Sequence, residues 1–339
     1  MTDSLPLGKL PFDLLTRLLA QAPIKDSRVL YGPGIGLDCA VVDLGERLLV
    51  FKSDPITFAT DDIGWYAVQV NANDIATTGA TPRWMLATLL LPENATSQEL
   101  VESIFDQMYR AASALGISVV GGHTEITYDL RRPVLVGTLI GEVDREHLIV
   151  PANVRPGDRL LLTKGVPIEG TALLAREFPE RLAGVLSEAE MEEAREYLYQ
   201  PGISVVRDAR LAVQSGAVHA MHDPTEGGLA GALWELSEAS QQKLIIDPGS
   251  VYVPDLPGRI CAAFGLNPLA TIASGALLLA AAATDAPSIC AALQAEGIDC
   301  GEIGWVEAGP VGVWQPDGQV FPRPARDEIA RVYEESAAD

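Results

Sequence analysis

Residues 71–82 read NANDIATTGATP. Asn71, Asp74 and Thr78 fall at i, i+3 and i+7, one stripe of a helix whose other positions are small or apolar. A solvated face would carry Lys and Glu, and this stripe has neither. Amides beside a carboxylate are costly to bury without a partner, so the stripe is expected to meet a ligand. Just upstream, LLVFKSD (48–54) reads as a strand, and Asp61 or Asp62 suits the N-cap of the helix. Downstream, Leu100, Ile104, Phe105, Met108, Ala112 and Leu115 form one helical face that Gly116 ends. ISVVGG (117–122) reads as a short strand ending in glycines and RPVLVGTLIGEV (132–143) as another. Strands and helices therefore alternate through the first half, after an amphipathic helix over 12–20.

Near residue 155 the pattern resets: a turn-rich NVRPGD precedes the apolar strand RLLLTK, which sets a boundary between residues 1–155 and 156–339. A chain of 339 residues exceeds the size at which one core stops growing, and two domains leave room for a cleft. Helical stretches are expected around 170–200 and 226–240, and ASGALLLAAA (273–282) as a buried strand. No internal repeat or low-complexity segment is found.

Formal net charge is −22, which repels a bare polyanion and excludes a nucleic-acid footprint. A phosphate ligand would need a cation. The longest apolar run, 269–283, is too short to cross a bilayer and is broken by Ser274 and Gly275. The opening MTDSLPLGKLPFDLL lacks the basic and apolar regions of a signal peptide, so a cytoplasmic protein away from any membrane is expected. Cys39, Cys261, Cys290 and Cys300 form no zinc or redox motif and read as buried small residues in a reducing compartment.

Acidic residues recur at strand ends or helix starts, at Asp38, Asp54, Asp74, Glu125 and Asp223. Hard Mg²⁺ takes oxygen ligands, typically one or two carboxylates plus phosphate oxygens, so this set suits a nucleotide with its ions. Each Asp alone reads as a turn or cap residue; the set carries the argument. In GPGIGLD (32–38), Gly32, Gly34 and Gly36 offer backbone N–H groups to anionic oxygens while Asp38 holds a metal; no P-loop occurs. In GGHTEIT (121–127), Gly121 and Gly122 let the backbone approach a ligand, and His123 and Glu125 are candidate acid–base groups. In HDPTEGGLAGAL (222–233), Asp223, Thr225 and Gly227 lie at a turn into a helix whose free N–H groups would make an anion site. The bland alternative there is a capping box. No nucleophile elbow exists, which disfavours acyl-enzyme chemistry.

GLDCAVVD, KSDPIT, NANDIATTGATP, GGHTEIT, HDPTEGGLAGAL and ASGALLLA, in that order, resemble the superfamily of AIR synthase, thiamine-monophosphate kinase, selenophosphate synthetase and the hydrogenase-maturation protein HypE. The resemblance spans roughly residues 25–310. It implies a two-domain α/β (α+β) PurM-like fold. Its N-terminal domain dimerises into a barrel beside an ATP and Mg²⁺ cleft, and its C-terminal α/β domain packs helices on a mixed sheet. It assigns Asp38, Asp54, Asp74 and Asp223 to metal, with Asp223 facing the phosphates. Gly32, Gly34, Gly36, Asn71, Thr78, Gly121, Gly122, Thr225 and Gly227 fall to the nucleotide, and His123, Glu125 and Asp223 to catalysis.

Kinase and HypE members usually carry Asp where this chain has His123, with Glu125 the substitute. HypE ends in a cysteine, whereas this sequence ends EESAAD; Cys39 reads as strand filling, which disfavours selenium chemistry. The expected function is ATP-driven activation of a small metabolite by a homodimer. The alternatives are a non-catalytic nucleotide-binding maturation or regulatory partner and a purely structural dimer. The acceptor substrate is not specified by fold-level analogy.

Overall fold

The computed structural model describes Leu5, Leu10 and residues 12–34, 39–56 and 61–338. They fall into two units: residues 24–32, 39–56 and 61–148 form one, and 12–23, 33–34 and 149–338 the other. After α1 (Phe12–Leu19), the chain forms β1 (Val29–Tyr31), β2 (Ala40–Asp43), β3 (Leu48–Ile56), α2 (Ile63–Thr77), β4 (Thr81–Pro92), α3 (Gln98–Ala114), β5 (Ser118–Thr127) and β6 (Val134–Val143).

The six strands make one open sheet in the order β1-β2-β3-β6-β4-β5. Neighbours are antiparallel except β4 and β5, which run parallel. β6 alternates buried and half-buried residues, the mark of a strand with one face on a core. Its glycines let α2 settle directly on that face: a Cβ at Gly137 would lie 2.5 Å from Asn71 Nδ2, and one at Gly141 2.3 Å from Ile75 Cγ2. Gly64 does the same between helices, where a Cβ would lie 2.3 Å from the Ile104 carbonyl oxygen of α3. α2 is consequently buried along nearly its whole length. Asp62 takes its N-cap position in a left-handed conformation, without a side-chain cap bond to the helix.

One expectation needs correcting here. The strand read as ending at Gly121 and Gly122 continues to Thr127, because these glycines pair with Leu86 and Ala87 of β4. The barrel that the resemblance implies is one between two copies; within this chain β1 and β5 are the open edges of the sheet.

In the second unit come β7 (Arg159–Thr163), α4 (Ile168–Glu177), α5 (Pro179–Leu182), α6 (Glu188–Glu196), α7 (Val206–Ser215), β8 (Val218–His222), α8 (Gly228–Ser240), β9 (Lys243–Ile246), α9 (Asp255–Phe264), β10 (Leu278–Ala281), α10 (Ala286–Ala295), β11 (Cys300–Glu307), β12 (Gly312–Trp314) and α11 (Ile329–Ala338). Their sheet, β12-β9-β11-β7-β10-β8, is mixed, with only β12 and β9 parallel. One core joins Leu160, Leu162, Leu233, Leu236, Ile246 and Leu278; a second gathers helices around Leu174, Phe178, Ile260 and Val332. The apolar stretch 273–282 contributes a strand only over Leu278–Ala281, since Ser274 and Ala276 form an isolated bridge instead. Among the described residues, no helix is long and apolar enough to cross a membrane.

Candidate functional site

In the first unit the site is built where β3 faces α2. Residues two apart on a strand share a face, so Lys52 and Asp54 point together, opposite Leu139 and Gly137 of β6. The missing side chain at Gly137 leaves space for Asn71. The Asn71 Oδ1 accepts the Asp54 backbone N–H at 3.0 Å, while its Nδ2 donates to the Ala67 carbonyl at 2.8 Å. This amide fastens the Asp54 backbone to the helix. One turn on, Asp74 is anchored through its carbonyl, which accepts the Cys39 thiol at 3.3 Å and the Thr77 hydroxyl at 2.8 Å.

The two carboxylates meet at one cation. Lys52 Nζ lies 3.1 Å from Asp54 Oδ2 and 3.0 Å from Asp74 Oδ2, with only 13% of its side chain and 4% of that of Asp74 exposed. Sequence reading missed Lys52; its signal was a lysine in an otherwise apolar strand two positions before Asp54. Among the described residues, no group of three His, Cys, Asp or Glu side chains is arranged to hold a metal ion. The hard oxygens of Asp54 and Asp74 suit a divalent cation chemically, but the ammonium stands at the point where they converge. The residues present therefore do not fit a divalent ion between this pair.

Of the expected stripe, Asn71 and Asp74 turn inward to β3, while the Thr78 hydroxyl donates to the Ile75 carbonyl of its own helix at 2.7 Å. Gly32 packs close to Ile24, and Gly34 is half-buried. Gly36 and Asp38 lie outside the described residues.

On β5, His123 Nε2 and Glu125 Oε2 are 3.1 Å apart and exposed, since they share a strand face. A cavity of about 410 Å³ lies between α3 and the β4–β5 pair, lined by Leu89, Ile104, Met108, Gly121, Gly122 and His123 among others. Gly122 has φ +150°, and a Cβ there would sit 1.9 Å from the Ala87 carbonyl oxygen. The close approach that Gly122 permits is to β4 rather than to a ligand.

In the second unit the turn at 222–228 differs from expectation. Asp223 is buried; its carbonyl faces His222 Nδ1 at 3.1 Å, and His222 Nε2 lies 2.9 Å from Glu235 Oε2. Two N–H groups where this turn enters the helix already have internal partners. Gly227 N–H donates to Asp327 Oδ2 at 2.6 Å, and Gly228 N–H to the Thr225 carbonyl at 2.9 Å. Asp327 Oδ1 also accepts the Ile329 N–H at 2.8 Å. An internal carboxylate a hundred residues away thus occupies the turn.

Glu169, on α4, joins this acidic region. Burial, then the charges of Asp327, Glu226 and Asp223, push its carboxyl up to about 7 against a bond with Ser274. Burial likewise lifts Asp327 to about 6 despite the N–H groups it accepts. Glu169, Glu226 and Asp327 were missed by sequence reading; a glutamate between Ile168 and Gly170 in an apolar helix start was the available signal. Cys39, Cys261 and Cys300 are buried as expected, but β11 returns Cys300 to within 3.1 Å of the half-buried Cys290 sulfur on α10.

The sequence profile described as the AIR synthase related protein N-terminal domain matches residues 36–143, and that of the C-terminal domain matches 155–315. The chain is 30% identical over 264 residues to a putative hydrogenase expression/formation protein of Methanocaldococcus jannaschii, covering 75% of each. It is 30% identical over 221 residues to the thiamine-monophosphate kinase of Archaeoglobus fulgidus, covering 62% of this chain and 67% of that one. The crystal structure of the hydrogenase maturation protein HypE in complex with ATP superposes with a TM-score of 0.66 at 23% identity, covering 92% of this chain and 91% of that one.

Proposed function

Because this chain belongs to the AIR synthase related family, we propose that it is an enzyme that binds ATP and uses the γ-phosphate to activate a small metabolite. Mg²⁺ arrives chelated to the nucleotide. The observation that carries the reading is the convergence of Asp54 and Asp74, twenty positions apart, on one cationic point beneath a strand end. Phosphoryl transfer needs little covalent chemistry from a protein, and rests on charge and positioning. A relative named for kinase activity and a solved HypE bound to ATP support the nucleotide. The apolar cavity beside Gly121 and Gly122 has the size and character for a nucleobase, and we assign His123 at its rim, with Glu125 beside it on β5, to the acid–base role.

Isothermal calorimetry with a non-hydrolysable ATP analogue and Mg²⁺ tests this. Binding that weakens at least tenfold in Asp54→Asn is expected; no binding by the intact protein sinks the proposal. A second reading, a nucleotide-binding maturation or regulatory partner without turnover, draws on His123, whose exposed side chain pairs with Glu125 where relatives usually carry Asp. ADP release above background with a metabolite panel decides for the enzyme.

We further propose a homodimer in the cytoplasm, joined through β5. That strand is an open edge of the sheet, and it exposes Val120 and Ile126 at 55% and 60%. Unpaired edges of this kind template pairing with another chain.

A further inference from the structure

We propose that Lys52 is a built-in cation of the nucleotide site, taking between Asp54 and Asp74 the position that a divalent ion would otherwise hold. This rests on the nucleotide reading above. The Lys52 stem runs along the face of β3 that packs on α2, so its head is led into a space closed on the Asp74 side and open to solvent at Asp54. There it meets one oxygen from each carboxylate at 3.1 and 3.0 Å. A Mg²⁺ ion demands oxygens at about 2.0–2.1 Å in near-octahedral array. Seating one between these groups would require Nζ to leave and both carboxylates to close in by about 1 Å each. Asp74 is poorly placed to move, since its helix is buried and its carbonyl is tied to Cys39 and Thr77.

Charge leads to the same assignment. Two carboxylates and one ammonium leave a net charge of about −1, already reduced for an approaching triphosphate, whereas adding a divalent ion would leave two cationic groups crowded in low dielectric. A lysine ammonium is a compact point charge suited to this substitution. The site then accepts a nucleoside triphosphate carrying its own Mg²⁺ with one fewer protein-bound ion.

The test counts Mn²⁺ ions bound per chain, by electron paramagnetic resonance, with and without a saturating non-hydrolysable ATP analogue. Lys52→Ser frees the space between the carboxylates and is expected to bind one more Mn²⁺ per chain than the unaltered protein. Equal counts overturn the proposal. Should that variant not fold, acetic anhydride labelling of the unaltered protein decides. Lys52 is expected to stay protected at saturating Mg²⁺ with the analogue present, and labelling induced by Mg²⁺ means that the ion displaces it and overturns the proposal. If calorimetry shows no nucleotide binding, the functional reading fails alone, because the metal-only count still judges Lys52.

Discussion

Lys164 Nζ lies 3.2 Å from Asp208 Oδ2, with 7% and 2% of their side chains exposed. The same carboxylate oxygen accepts the Thr163 hydroxyl at 2.9 Å, and Nζ also donates to the Ser204 carbonyl at 2.6 Å. Burial draws the Lys164 pKa down, and the charge of Asp208 works against that. The end of β7 is thereby tied to α7 by polar groups sealed from water.

Removing one member of such a pair leaves a buried charge without compensation, whereas replacing both with apolar groups can be nearly neutral. Lys164→Met is expected to lower stability by about 3–5 kcal/mol in urea unfolding. The double variant Lys164→Met/Asp208→Leu should regain most of that. A single variant losing under about 1 kcal/mol would show that the pair contributes little beyond packing.

Gly122 presses on Ala87 of β4, where a side chain has no room. Gly122→Ala is expected to destabilise by at least about 3 kcal/mol, since overpacking and backbone strain add. Gly45, with φ +94° and nothing within 4 Å of an added Cβ, isolates the strain component, and Gly45→Ala should cost about 1 kcal/mol. Equal melting temperatures for the two variants would refute the steric account.

Glu169 makes stability pH-dependent. Its carboxyl is lifted to about 7 from an ordinary 4.5, so the folded chain binds that proton more tightly than the unfolded one. The stability it contributes is complete below about pH 4.5 and is lost as pH rises through about 7. The full lift corresponds to about 3 kcal/mol at about 1.4 kcal/mol per tenfold change. Glu169→Gln cannot ionise, so it should gain about 3 kcal/mol on the unaltered protein between pH 4.5 and pH 8, measured by thermal unfolding. A pH-independent difference would reject the assignment.

The β5 edge is expected to hold two copies together. Val120→Lys with Ile126→Lys places like charges across that interface, and light scattering after size exclusion should report a monomer with an unchanged circular dichroism spectrum. A variant that stays dimeric would move the interface elsewhere, and a monomeric unaltered protein would remove the dimer itself.

The order of elements in the first half and the buried face of α3 were legible in the sequence because periodicity records which side of an element is hidden, whereas the mixed second sheet was implied only by the family resemblance. Asp54, Asn71 and Asp74 could be singled out for the same reason: polar groups on a small, apolar background require a partner. The partner itself was not legible. Lys52 joining both carboxylates, Asp327 filling the turn at Gly227 and Cys300 facing Cys290 depend on which strand lies beside which helix. Sequence spacing does not encode those distances. Local chemistry fixed by itself where burial and polarity would fall along this chain. Only the tertiary structure decided which charges met, because electrostatic and hydrogen-bonding partners act over a few ångströms of space, whatever their separation along the chain.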